Sequence, residues 1–222
     1  PSYAYATYER NKAWKNNITL FEHDLPYMEN CARAHYYYAN ELLQTYHIVD
    51  KKKRNLVAEK IANHFGRSIE ISDKSFASYL NLAKFYIGHN MFEQAYRIIE
   101  LFNKSYADTF HSHHLLGYYH FYQQNFYKAI EALEKAREKA PKNNDNYFLL
   151  GWSYHNNGNY EKAVQVLEQG IALNYEHPET TLMNNQFVSY NVLKKFDISD
   201  MNEKKVSDEQ IKGMLTNDWI DY

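Results

Sequence analysis

A 34-residue period constrains this chain more tightly than any other feature of its sequence. Leu82-Ala83, Leu116-Gly117 and Leu150-Gly151 recur at that spacing, as do Ala95, Ala129 and Ala163. Phe92, Phe126 and Tyr160 keep the same register, and so do Tyr86, His120 and Tyr154. Within each period the apolar residues have helical spacing, and polar turns interrupt them: Gly88-His89-Asn90, Gln123-Gln124-Asn125 and Asn156-Asn157-Gly158-Asn159. A unit of this length is one helix hairpin, which buries its apolar face only by stacking on a neighbour. Small residues at 83, 117 and 151 and alanines at 95, 129 and 163 let the two helices of a hairpin approach closely. Large residues at 82, 116 and 150, and at 99, 133 and 167, fill the space between hairpins.

Composition agrees with helices. The 222 residues include only 7 Gly and 4 Pro, few breakers for a chain of this length. A formal charge of −2 supplies no clustered basic surface for DNA or RNA, so no nucleic-acid partner is expected. Cys31 is the only cysteine, which excludes an intramolecular disulfide; it is read as a small core residue of a helix. There is no signal-peptide pattern and no long apolar run, and the start at Pro1-Ser2-Tyr3 suggests a soluble domain cut from something longer. The 22 Tyr suit half-buried helix interfaces and binding surfaces alike.

Leu116-Gly117-Tyr118, Tyr127-Lys128-Ala129 and the stretch from Ala136 to Pro141 resemble the tetratricopeptide repeat, as do Leu150-Gly151-Trp152 and Tyr160-Glu161-Lys162-Ala163. The resemblance implies an all-α fold, a right-handed superhelical α-solenoid of helix hairpins with a C-terminal capping helix. Three good repeats are expected at 76–109, 110–143 and 144–177. A degenerate repeat at 32–75 precedes them, with helices Ala32–Tyr46 and Leu56–Ile69 around an insertion of about ten residues. That insertion holds Lys51-Lys52-Lys53-Arg54, read as the solvated tip of a hairpin. A lead-in occupies 1–31, the capping helix 178–196 and an acidic, polar tail 197–222.

Residues 1–31 are not a repeat. Arg10-Asn11-Lys12-Ala13-Trp14, then Leu20-Phe21, then Cys31-Ala32-Arg33, resemble the junction ahead of the repeats in bacterial membrane proteins related to transmembrane O-mannosyltransferases. That resemblance implies an acceptor-binding domain on the periplasmic face of a bacterial membrane. Catalysis, and any membrane association, would then belong to an upstream region; a cytoplasmic location is the alternative. The plainer reading has Trp14, Leu20 and Phe21 packing a lead-in helix over the first repeat.

Nothing in the sequence points to catalysis by this chain. Gly-rich phosphate loops, Gly-x-Ser-x-Gly and His-Glu-x-x-His are absent. His111 and His114 share a helix face at metal-ligand spacing, but no acidic or cysteine ligand accompanies them, so neither a metal nor a cofactor is expected. His113 and His120 fall at positions facing the partner helix.

The tetratricopeptide resemblance implies a concave groove lined by the first helices. Carried onto this sequence, the lining is Tyr36 and Asn40; Lys84; His111, His114, Tyr118, Phe121 and Tyr122; Phe148, Trp152, His155 and Asn156; and Tyr190 from the cap. A carboxylate clamp of the chaperone-binding kind is not expected, because only Asn40 fits it while Tyr36, His111, His114 and Leu115 replace its cationic and polar partners. The function expected is capture of a protein or peptide segment by aromatic packing and hydrogen bonds. A glycan or glycosylation acceptor is the other partner that an aromatic lining suits.

Overall fold

The computed structural model describes residues 14–176; the capping helix, the tail, Tyr190 and the residues before Trp14 lie outside the described residues. Nine α-helices and two 3-10 turns make up the described part, with no strand among the described residues. The chain divides into two compact units, Pro1–Ser105 and Tyr106–Tyr222.

In the first unit α1 (Asn17–Asp24) opens on a capping box, Asn16 accepting from the Thr19 amide and the Thr19 hydroxyl accepting from the Asn16 amide. A 3-10 turn at Leu25–Tyr27 leads to α2 (Ala32–Thr45), and a second at Tyr46–Ile48 to α3 (Lys51–Ile71). Then come α4 (Phe76–Gly88) and α5 (Phe92–Tyr106). Leu25, Tyr38, Ala39, Leu42, Ile61, Phe65, Leu82 and Phe85 form the core, with Ile18 and Phe21 of α1 packed against it. Phe102 of α5 is fully buried, its ring 5.4 Å from Phe76 and 5.8 Å from Tyr79 of α4.

Three expectations need correction here. The basic run is not a hairpin tip: α3 begins at Lys51, so Lys51 to Arg54 form its first turn and the insertion lengthens the helix. Asp50 is the reason, its carboxylate accepting the Lys52 amide as an N-cap. Arg54 then donates to the carbonyls of Val49 and His47, tying the loop to the helix start. Of the residues expected to pack over the first repeat, Phe21 does so, beside Ile18, whereas Trp14 is 63% exposed. Cys31 is exposed at the N-cap of α2, outside the core, because the helix buries the face carrying Ala34, His35 and Tyr38.

The described residues of the second unit form two hairpins, α6 (Phe110–Tyr122) with α7 (Phe126–Lys139), and α8 (Asn144–Asn156) with α9 (Tyr160–Glu176); α7 and α8 pack side by side. The first helices α4, α6 and α8 begin at Phe76, Phe110 and Asn144, one period apart. Ala95, Ala129 and Ala163 are buried at 0%, 0% and 3% exposure, so the small-residue column sits between helices. Gly117 and Gly151 explain the other column. A β-carbon on Gly117 would lie 2.5 Å from Leu133 Cγ, and one on Gly151 would lie 2.5 Å from Leu167 Cγ. The leucines of α7 and α9 occupy the volume that a side chain on the facing helix would need.

The turns inside the hairpins repeat as closely as the helices do. Asn90, Gln124 and Gly158 all adopt positive φ, at 58°, 60° and 79°. Each donates its amide three residues back, to Ile87, Phe121 and His155, and the next amide donates to Tyr86, His120 and Tyr154. This double bond is the Schellman closure, which satisfies the last carbonyls of a helix through one left-handed residue. Asn125 and Asn159 then cap α7 and α9 with their side chains. One short segment therefore ends one helix and starts the next, fixing the hairpin.

Candidate functional site

The second unit brings together most of the residues read as partner contacts. α6 carries His111, His114, Tyr118, Phe121 and Tyr122, and α8 carries Phe148, Trp152, His155 and Asn156. Tyr36 and Asn40 lie on α2 and Lys84 on α4, in the first unit. There Tyr36 and Asn40 are half-buried and Lys84 is exposed, with the Tyr36 ring 5.2 Å from Tyr37 and 6.1 Å from Phe65.

Asn146 holds α6 and α8 in register. It is fully buried and donates to the Leu133 carbonyl of α7 at 2.8 Å, while its oxygen pairs with His114 Nδ1 at 3.2 Å. Because a carbonyl oxygen only accepts, His114 carries its proton on Nδ1. Its ring stacks on Phe110 at 5.3 Å. Sequence reasoning missed Asn146 because it searched for apolar and small columns. The signal was present as a third column, Ser78, Ser112 and Asn146, all buried and one period apart.

Beyond this linkage the two helices form an aromatic wall. Tyr118 and Tyr122 rings lie 4.7 Å apart, and Phe148, Trp152, His155 and Tyr160 form an edge-to-face row with centroids 6.0, 5.6 and 5.3 Å apart. Depth varies along the wall. Tyr118, Phe121 and Trp152 are buried, His114, Tyr122, Phe148, His155 and Asn156 are half-buried, and His111 is exposed. Phe121 turns toward Phe126 at the start of α7, which places it in the hairpin junction. Asn156 spends its amide on the Trp152 carbonyl at 2.8 Å.

Electrostatically the wall is quiet. Burial, and then the adjacent Tyr122, hold the Tyr118 hydroxyl well above the ordinary tyrosine range, and burial raises Tyr122 too. Burial pushes His155 down, so its ring is neutral at pH 7. The partner-facing His120 is lowered by burial and then by Lys128, and its Nδ1 is buried without a partner. His113 faces the preceding loop, its Nε2 2.9 Å from Asp108. Among the described residues no three His, Cys, Asp or Glu side chains converge on a point where a metal would sit.

Two polar atoms on the wall are left over. Trp152 Nε1 and His155 Nδ1 are buried and have no hydrogen-bond partner. An unmet buried donor or acceptor costs about 1–3 kcal/mol; Asn103, His120, Asn143 and Asn144 carry others among the described residues, away from these two rings.

The tetratricopeptide repeat family model matches residues 114–174, most of the described part of the second unit. No curated protein matches the chain, and the junction resemblance to O-mannosyltransferase relatives gains no support from the comparisons. Among solved structures, MamA from Desulfovibrio magneticus RS-1 (residues 41 to the end) superposes with a TM-score of 0.56 at 12% identity, covering 77% of this chain and 94% of that one. A further MamA crystal structure gives 0.55 at 15% identity, with 73% and 89% covered. Identities this low establish a shared fold alone: the described residues form an all-α fold of tetratricopeptide-repeat type. No helix among the described residues is long and apolar enough to cross a membrane.

Proposed function

We propose that this tetratricopeptide-class chain is a protein-interaction module, and that the aromatic wall of α6 and α8 holds an extended peptide segment of its partner. The observation that carries the reading is the adjacent pair of unmet groups, Trp152 Nε1 and His155 Nδ1, on a wall without lysine or arginine. Rings supply area at low entropic cost, and a peptide backbone supplies both the acceptor and the donor that these two atoms lack. Both atoms are buried, so binding requires side-chain rotamer changes along the Phe148–Trp152–His155 row, a common adjustment at interfaces. A neutral wall favours an uncharged, apolar-polar segment over an acidic chain terminus.

Trp152→Phe tests this, since it keeps an aromatic ring while removing the indole N–H together with two ring carbons. Peptides selected against the full chain from a random display library are titrated against both forms by calorimetry. One hydrogen bond of about 0.5–1.5 kcal/mol predicts a loss of about two- to tenfold in affinity. The urea midpoint should fall, because the smaller ring leaves a cavity at a buried position, an effect separate from the affinity read by calorimetry. Equal affinity of both forms, for every selected peptide, would reject the wall as the binding surface.

A further inference from the structure

The basic run that opens α3 carries a surface that peptide binding does not use. Arg54 donates to the carbonyls of Val49 and His47, so the 3-10 turn ahead of the helix is tied to its first turn. Around this tie two aliphatic side chains stand in water, Ile48 at 73% exposure and Leu56 at 58%. Lys52 and Lys53 precede Leu56 by four and three residues and Lys60 follows it by four, so lysines flank that leucine along one side of α3. Lys51, Lys52 and Lys53 are exposed and form no ion pair among the described residues, while Lys60 pairs with Glu22 at 3.0 Å. From His47 to Lys60 the sequence holds five cations and two carboxylates, Asp50 and Glu59, within a chain of net charge −2.

Folding does not ask for this arrangement. The start of a helix is its positive end, where carboxylates are favoured and lysines disfavoured, yet the first turn of α3 has no acidic residue. Ile61, Phe65 and Ser68 carry the buried face of the helix, and Leu56 lies off that face. Neither the lysines nor the two aliphatic side chains contribute to the core.

We infer that this ridge, Ile48 and Leu56 among Lys51, Lys52 and Lys53, docks the chain on an anionic lipid surface. The chemistry selects that partner over two others. Specific protein interfaces are anchored by Trp, Tyr and Arg and are depleted in Lys. Phosphate groups of nucleic acids and phosphopeptides are gripped by forked guanidinium contacts, and the Arg54 fork is turned inward to backbone carbonyls. What remains is three flexible point charges beside two aliphatic side chains, which suits a diffuse negative surface with an apolar layer beneath it. The ammonium groups stay with the headgroups while Ile48 and Leu56 enter the acyl boundary. The contact is peripheral and reversible, each lysine near an anionic leaflet strengthening partitioning about fivefold.

The test sediments the full chain with vesicles of phosphatidylcholine alone, or of equal parts phosphatidylcholine and phosphatidylserine. The chain should follow the serine-lipid vesicles at low salt, release them as salt rises, and leave the neutral ones unbound. Lys51→Gln, Lys52→Gln and Lys53→Gln combined should lower partitioning about a hundredfold. The triple change Lys74→Gln, Lys104→Gln and Lys142→Gln alters net charge equally, at exposed lysines elsewhere, and should have little effect. Ile48→Ser with Leu56→Ser should lower partitioning about tenfold and keep the salt dependence. All the changed side chains are exposed, and circular dichroism should show wild-type helicity in each variant. An equal loss in the control triple overturns the proposal. The wild type also decides without any variant: no sedimentation, equal sedimentation with both vesicle types, or preference for duplex DNA or RNA over the serine-lipid vesicles overturns it.

Discussion

Gly117→Ala puts the repeat packing to a quantitative test. The new methyl carbon would sit 2.5 Å from Leu133 Cγ, 2.6 Å from Cδ2 and 3.4 Å from Cδ1. Carbon atoms rest about 3.5–4.0 Å apart, so α6 and α7 must separate by about 1 Å or Leu133 must leave its rotamer. Leu133 is fully buried, and its branch point, not a mobile tip, makes the close contact. Overpacking of this kind costs about 1–3 kcal/mol, against a helix-propensity gain of about 1 kcal/mol for Ala over Gly. The net expectation is a loss of about 0–2 kcal/mol. Leu133→Ala alone should cost about 2–5 kcal/mol through the cavity it leaves. In that background the same Gly117→Ala change meets no clash, so it should become stabilising by about 1 kcal/mol. Urea titrations followed by circular dichroism on the four members of the cycle give the coupling directly. A Gly117→Ala effect of the same sign and size in both backgrounds would refute the argument that the glycine exists to admit Leu133.

Other consequences are measured the same way. Gln124→Gly should raise stability by about 1 kcal/mol, because Gln124 holds φ at 60° in a closure where glycine pays no steric penalty; an unchanged or lowered urea midpoint would contradict the strain. Asn146→Ala should cost about 1–3 kcal/mol by removing the two hydrogen bonds of a buried amide, to the Leu133 carbonyl and to His114 Nδ1, and a loss below about 0.5 kcal/mol would mean that water replaces the amide without penalty.

What the sequence disclosed depended on whether a signal was periodic. Every repeating class of side chain, large, small or turn-forming, reports a spacing set by the backbone, so the helices and the all-α fold were legible in single letters. The start of α3 was not, because attention to Leu56 as the first apolar residue hid Asp50, an N-cap whose signal is a single carboxylate. Lys51 to Arg54 have no apolar periodicity, yet a cap and a buried face further along are enough to carry a helix through them. The candidate site was legible in residue type and not in depth. Tyr118 and Trp152 sit at positions equivalent to exposed Lys84, and both are buried, since depth is decided by neighbouring rings that no position rule specifies. Asn146 escaped notice for a related reason: a buried amide matters through its partners, the Leu133 carbonyl and His114, which lie 13 and 32 residues away.

The three hairpins also show how one geometric demand is met by two side-chain combinations. Where the second helix carries Leu133 or Leu167, the facing position is Gly117 or Gly151, with no room for a β-carbon. At the equivalent positions in the first unit stand Ala83 and Ile99, both buried. Isoleucine branches at Cβ and keeps its bulk near its own helix, whereas leucine branches one bond further out and reaches the opposing backbone. In all three hairpins the small residue on the first helix goes with the residue sixteen positions later, glycine with leucine and alanine with isoleucine. That dependence makes the two columns one physical feature, and it explains why a period so regular in position tolerates variation in identity.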